Sequence, residues 1–265
     1  MSGLPRMKLL LLSTMALLAG LTAGASGETW SGYNGGPTGN RNVSTFPGNE
    51  IGTRWVADTS LSSTTATCLT YRDGSLFAMI MDPETLRARV VSLDAQTGEL
   101  QWTHEARFVN YRGCPSISGD SIIFGAAVTH SQWVVKALNI HDGTQEWVYD
   151  LAPNEAVLGG SVSADSGHVF FSVQGSTYEI RALDRLDGTL DWSAPGMVSW
   201  LADPIAVDGK VIVARPQGGE PKGILAYDAD DGTDLGWQSD EEDTLYDAIV
   251  KGGTLFHRRE SEEIV

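Results

Sequence analysis

Four groups of residues in this 265-residue chain are of types that could do chemistry. The five histidines, His104, His130, His141, His168 and His257, belong to a residue type used for metal ligation and proton transfer. None stands in a His-x-x-x-His spacing, and no partner is singled out for any of them, so they read as turn and surface histidines. Asp228, Asp230, Asp231 and Asp234 crowd one turn, and carboxylate oxygens at that density attract Ca²⁺. Their spacing is not that of an EF-hand loop, and the same turn recurs elsewhere in the chain. Gly159-Gly160-Ser161-Val162-Ser163 opens like a nucleophile elbow but lacks the closing glycine, and it fits the first strand of a sheet instead. Cys68 and Cys114 are the only cysteines, and they read either as a disulfide formed in an oxidising compartment or as two buried thiols. No catalytic, cofactor-binding or metal-binding residue is expected.

The elements that carry these residues repeat. Trp55, Trp102, Trp147, Trp192 and Trp237 are spaced 47, 45, 45 and 45 residues apart. Ahead of the last four stands one phrase: Ser92-Leu93-Asp94-Ala95-Gln96-Thr97-Gly98, Ala137-Leu138-Asn139-Ile140-His141-Asp142-Gly143, Ala182-Leu183-Asp184-Arg185-Leu186-Asp187-Gly188 and Ala226-Tyr227-Asp228-Ala229-Asp230-Asp231-Gly232. The Asp or Asn can accept backbone N–H groups two residues on, which nucleates a turn. Gly98, Gly143, Gly188 and Gly232 supply the positive φ that closes a bulged hairpin. Trp then follows four residues later on the returning strand, or five in the last copy, where Gly236 intervenes. A ring of that size can lock one sheet against its neighbour.

A second turn precedes each phrase, at Asp73-Gly74, Gly119-Asp120, Ser166-Gly167 and Asp208-Gly209, and recurs at Gly252-Gly253; each is followed by a β-rich run such as Ser121-Ile122-Ile123-Phe124. Each period therefore holds four short strands and no helix. Four-stranded sheets at this period make an all-β fold, the β-propeller. Four full blades plus parts of one or two are expected. Cys68 and Cys114 fall on the first strands of consecutive blades, close together near the ring axis. Trp133, Trp200, Tyr111 and Tyr178 lie off the ruler and read as packing between blades, or as a partner-binding rim.

The phrase of apolar-Leu-Asp, two variable residues, Thr/Asp-Gly, three residues and Trp resembles the PQQ-type propeller repeat over roughly residues 55–265. That repeat occurs in quinoprotein dehydrogenases and in non-enzymatic propellers similar to the outer-membrane assembly scaffold. Many of the dehydrogenases carry adjacent cysteines over the cofactor, whereas Cys68 and Cys114 are not adjacent in sequence, so PQQ is not expected; Ca²⁺ is not expected either, because the Asp228–Asp234 turn is the common hairpin of the repeat. Rings of this type resemble one another in having seven or eight blades. Counted from Gly252, the next phrase falls beyond Val265. A fragment of a larger propeller is therefore the expectation, with a five-bladed ring closed by both termini as the other reading.

The net charge of −16, from 18 Lys+Arg against 34 Asp+Glu, opposes binding to nucleic acid or anionic lipid. Arg6 and Lys8 precede an apolar run from Leu9 to Leu21, and residues 1–25 read as a secretory signal ending at Ala25, with no transmembrane segment after cleavage. Residues 26–50, rich in Gly and Asn, read as an arm, with Asn42-Val43-Ser44 matching a glycosylation acceptor. Residues 51–265 form the propeller. The function expected is a secreted or extracytoplasmic, non-enzymatic scaffold for a protein or small ligand, able to self-associate through open blade edges. The alternatives are a fragment of a quinoprotein-like oxidoreductase and a sensor module of a larger protein.

Overall fold

A computed structural model of the chain describes residues 65–81, 87–107, 114–129, 131–158, 162–195, 203–214, 223–237, 248–251 and 253–257. Residues 1–25, read above as a signal, and 26–50, read as an arm with Asn42, lie outside them, as do Trp55, Tyr111, His130, Trp200 and residues 159–161. The first blade is an antiparallel sheet in the order β1 (Thr65–Arg72), β2 (Ser75–Met81), β3 (Ala88–Asp94), β4 (Leu100–Arg107). The second is β5 (Ser116–Ser118), β6 (Ser121–Thr129), β7 (Gln132–Asn139), β8 (Gln145–Asp150). The third begins with a short strand β9 (Ala156–Val157) that pairs with β11, followed by β10 (Ser163–Ala164), β11 (His168–Gln174), β12 (Tyr178–Asp184) and β13 (Leu190–Pro195). A fourth sheet holds β14 (Ile205–Val207), β15 (Lys210–Ala214) and β16 (Ile224–Asp228), and a fifth holds β17 (Ala248–Lys251) and β18 (Thr254–His257). Every strand pairing is antiparallel between chain neighbours, apart from the β9–β11 addition. The result is the series of β-meanders that makes propeller blades.

The second strand of each blade explains the packing. In β2 the residues alternate in direction, as the pleat requires. Phe77, Met79 and Met81 enter one apolar cluster with Ile122 and Phe124 of the second blade, while Leu76, Ala78 and Ile80 enter another. Likewise Val169, Phe171 and Val173 of β11 face the second blade, and Phe170 faces Val211 and Val213 of the fourth. Both faces of such a strand are covered, so its sequence is a continuous apolar run rather than an alternating one. Four of the five apolar clusters lie between consecutive sheets, and the fifth covers the other face of the first blade.

Two kinds of hairpin point to the same end of the blades. Asp73–Gly74 and Asp208–Gly209 have positive φ at both residues, the type I′ pattern, and at Gly119–Asp120 only the glycine does. Ser166–Gly167 departs from the expectation of a positive-φ dipeptide. There the Asp165 carboxylate accepts from the N–H groups of both Gly167 and His168, and this Asx turn reverses the chain without a left-handed residue.

Candidate functional site

The repeated phrase builds one end of the molecule. Oδ1 of Asp94 accepts from the N–H groups of Gln96 and Thr97 at 2.8 Å each, and Asp184 accepts from those of Leu186 and Asp187. Asn139 and Asp228 accept from His141 and Asp230 at 2.9 Å each. The following Gly98, Gly143, Gly188 and Gly232 have φ between 71° and 76°. A ladder bulge follows in each of the first three blades, between Ser92 and Leu93, Ala137 and Leu138, and Ala182 and Leu183. The phrase turn is then clipped to the neighbouring turn of its own blade. Ala95, Ile140, Arg185 and Ala229 donate their N–H to the carbonyls of Gly74, Asp120, Gly167 and Gly209 at 2.8–3.0 Å. Four blades thus present four paired turns of one construction.

The tryptophans connect these turns from blade to blade. Trp102, Trp147 and Trp192 donate their indole N–H to the carbonyls of Ile140, Arg185 and Ala229 of the next blade, at 3.0, 3.0 and 2.9 Å. Each ring lies against the next glycine: a Cβ at Gly143, Gly188 or Gly232 would stand 2.5–2.6 Å from ring carbon Cε3 of Trp102, Trp147 or Trp192. The glycine is therefore required twice, for its φ and as the bare surface on which the ring rests. These three rings are 7–9% exposed, whereas Trp237 is 46% exposed. The role of the glycine as a platform was missing from the sequence reading. Its signal is the interval of 41, 41 and 40 residues from each Trp to the glycine it meets.

Arginines tie the inner turns together. A guanidinium nitrogen of Arg72 donates to the Gly119 carbonyl, and Arg185 donates to the Ser166 carbonyl at 3.0 Å while its head group lies over Gly119. Ser118 donates its hydroxyl to the Asp165 carbonyl at 2.5 Å. Between the first two blades the turns leave a cleft of about 260 Å³. Arg72 and Asp73 form one wall and Asp120 and His141 the other, with Phe77 and Ile140 beneath. That volume is below the roughly 300–1,000 Å³ of ordinary small-molecule sites, and it suits a single side chain or a short polar segment.

The acidic residues hold turns. Asp142 and Asp187 each accept from the Thr two residues on, from its hydroxyl at 2.7 Å and its N–H at 2.9 Å, and Asp231 accepts from the Thr233 N–H at 2.9 Å. The threonine hydroxyl first, and its N–H second, hold these three carboxyls below their ordinary range. Asp234 accepts from the Gly236 N–H. Among the described residues no group of three or more His, Cys, Asp or Glu is placed to hold a metal ion. His168 sits 3.7 Å from Asp165 and 3.6 Å from Asp191, His141 lies 4.0 Å from Asp120, and burial followed by Lys136 lowers the pKa of half-buried His104.

At the opposite end one ion-pair cluster joins the second and third blades. Arg181 on β12, 9% exposed, makes a bidentate pair with Glu155 at 2.7 and 2.8 Å and bonds Glu179 at 3.0 Å. Its hydrogen bonds lower the Glu155 pKa, and Glu155 in turn raises that of Arg181. Glu155 precedes β9, so the pair fixes the connection between blades. Nothing in the sequence distinguishes these residues, because the cluster occurs in one blade. Of the remaining candidates, Trp133 packs half-buried against the core between the second and third blades, and Tyr178 accepts from Gln174. Cys114 is buried and disulfide-bonded, and it precedes β5 by two residues instead of lying on it. Cys68 lies on β1, its side chain outside the described set.

The profile of the family described as outer membrane protein assembly factor BamB matches residues 48–265. The outer membrane protein assembly factor BamB of Salmonella typhimurium (strain LT2) is 29% identical over 106 residues, which cover 37% of this chain and 26% of the relative. Among solved structures, a europium-containing methanol dehydrogenase superposes with a TM-score of 0.53 at 14% identity, over 75% of this chain and 49% of its own. The quinohemoprotein alcohol dehydrogenase from Comamonas testosteroni gives 0.53 at 16% identity, over 72% and 39%. Identities this low show the shared propeller fold and nothing of the chemistry. The chain spans about a quarter of the curated relative's length and less than half of either dehydrogenase.

Proposed function

This chain belongs to the family of the outer membrane protein assembly factor BamB, and on that premise we propose that it is a non-enzymatic, extracytoplasmic propeller that binds protein partners in outer-membrane protein assembly. The observation that carries the reading is the use made of polar side chains at the turn end. Asp94, Asn139, Asp184, Asp228, Arg72 and Arg185 are engaged in holding backbone turns in fixed positions. Such an end offers a rigid relief of backbone and charge, which suits recognition of another polypeptide. A catalytic site would instead converge free donors and acids on one point. In this reading PQQ and Ca²⁺ have no part.

A photo-crosslinking residue placed at Leu186, 74% exposed at the tip of a turn, tests the proposal in the native envelope. The expected result is a discrete adduct with an outer-membrane protein or an assembly component. Absence of any discrete adduct from the turn end contradicts it. Saturable micromolar binding of PQQ with Ca²⁺, followed by absorbance, overturns the non-enzymatic part.

A further inference from the structure

The cleft between the first two blades has a filled counterpart between the second and third. Ile140 follows the turn-forming Asn139 of its phrase as Arg185 follows Asp184, and both donate their backbone N–H to the other turn of their own blade. Arg185 then reaches back over the second blade. Its Nε donates to the Ser166 carbonyl at 3.0 Å, another guanidinium nitrogen lies 3.5 Å from the Ser118 carbonyl, and a Cβ at Gly119 would stand 2.7 Å from that nitrogen. Ile140 has no such head group, and the space beside it is the cleft of about 260 Å³. The residues around it change in the same sense. By strand register Asp73 stands where Gly119 stands, and Asp120 where Gly167 stands. The first cleft therefore lacks the head group that fills the second, and gains two carboxylates.

Both carboxylates have room for a ligand. One oxygen of Asp73 lies 3.2 Å from Arg72, whose guanidinium also donates to the Gly119 carbonyl, and the Asp73 side chain is 79% exposed. Asp120 lies 4.0 Å from His141, beyond hydrogen-bond reach. Buried Phe77 and Ile140 make the floor apolar. A polar rim over such a floor suits a side chain with an aliphatic stem and a charged head. We propose that the cleft receives an arginine side chain of a partner polypeptide, with its stem on Phe77 and Ile140 and its guanidinium between Asp73 and Asp120. The occupant is argued from the chain itself, which places an arginine at the same step one blade on. A guanidinium has planar donors that match carboxylates, and the net charge of −16 favours the approach of a basic segment. The proposal rests on the scaffold reading and deepens it by naming the chemistry of the partner.

The test titrates the full chain with a capped Gly-Arg-Gly peptide and follows the ring resonances of His141, assigned by their loss in His141→Gln. The expected result is a saturable shift at millimolar peptide or below, weakened by added salt. Binding should fall about fivefold in Asp120→Asn, the size of one partly exposed ion pair. Ile140→Arg supplies the head group from within, as Arg185 does, and should abolish it. A peptide with citrulline, which keeps the shape and loses the charge, should leave the resonances in place. Unchanged circular dichroism spectra check the fold, and Asp120→Asn, at an exposed site, carries the test if Ile140→Arg does not fold. No binding, or binding indifferent to Asp120→Asn and to citrulline, overturns the proposal while leaving crosslinking at Leu186 to judge the scaffold reading separately. Free arginine binding as tightly as the peptide also overturns it, because the ligand would then be a small molecule.

Discussion

Trp147 and Trp237 have the same place in the repeat and opposite surroundings. Trp147 is 7% exposed, donates to the Arg185 carbonyl and rests on Gly188, while Trp237 is 46% exposed. The difference shows that the phrase is not a self-sufficient structural unit. It closes its own hairpin through Asp and Gly, but its tryptophan acts on the next blade. Blades of this kind are therefore held by nearest-neighbour contacts, as in other repeat arrays. The same residue type contributes stability where a turn of the next blade covers it.

The comparison can be broken most strongly at the tryptophans. Trp147→Ala removes a buried ring and its hydrogen bond, and the expected loss in urea unfolding is about 3–5 kcal/mol. Trp237→Ala should change stability by no more than about 0.5 kcal/mol, as befits an exposed site. Equal losses would mean that docking is not what separates them.

A second contrast concerns covalent linkage. A bond between Cys68 and Cys114 would tie the first two blades, and reducing it should cost up to about 4 kcal/mol by the loop-entropy estimate. Thiol counting under denaturation without reductant should find none free, and two free thiols would contradict the bond.

Next come the glycines. Gly74 and Gly188 both have positive φ, but a Cβ at Gly74 meets nothing within 4 Å, whereas at Gly188 it meets the Trp147 ring at 2.5 Å. Gly74→Ala should cost about 1 kcal/mol of backbone strain. Gly188→Ala adds displacement of the ring and should cost at least about 2 kcal/mol. Matching losses at the two sites would remove the platform role.

A further effect is expected at the connection end. Arg181→Ala strands Glu155 and Glu179 and should cost about 1–2 kcal/mol. Because Glu155 has its pKa lowered by Arg181, its contribution is full above the unfolded carboxylate value of 4.5 and is lost as pH falls through the lower folded value. The gap between wild type and Arg181→Ala should accordingly narrow in acid. A gap that widens there would have the wrong sign.

Much of this arrangement is legible in the sequence because repetition multiplies local signals. The Asp-to-Gly turn, the bulge after it and the ruler of tryptophans each recur, and local hydrogen bonding explains all but the last. Gly167 shows the limit of dipeptide chemistry: the neighbouring Asp165 side chain satisfies the turn, so the glycine never adopts positive φ. Gly188 shows a different limit. Its φ follows from the hairpin, but its second role depends on a ring 41 residues earlier, and only the recurring interval of 40–41 residues hints at that contact. Arg181 with Glu155 is illegible for a simpler reason. A single pair across a blade boundary leaves no period to read.

Each of Trp102, Trp147 and Trp192 acts as one unit with the glycine of the next blade. A double-mutant cycle on Trp147→Ala and Gly188→Ala, read by urea unfolding of the full chain, measures that coupling directly. Once the ring is gone, Gly188→Ala should cost only its backbone strain, leaving an interaction energy of about 1 kcal/mol or more between the two changes. Strict additivity would contradict the claim, since the ring and the glycine would then contribute independently.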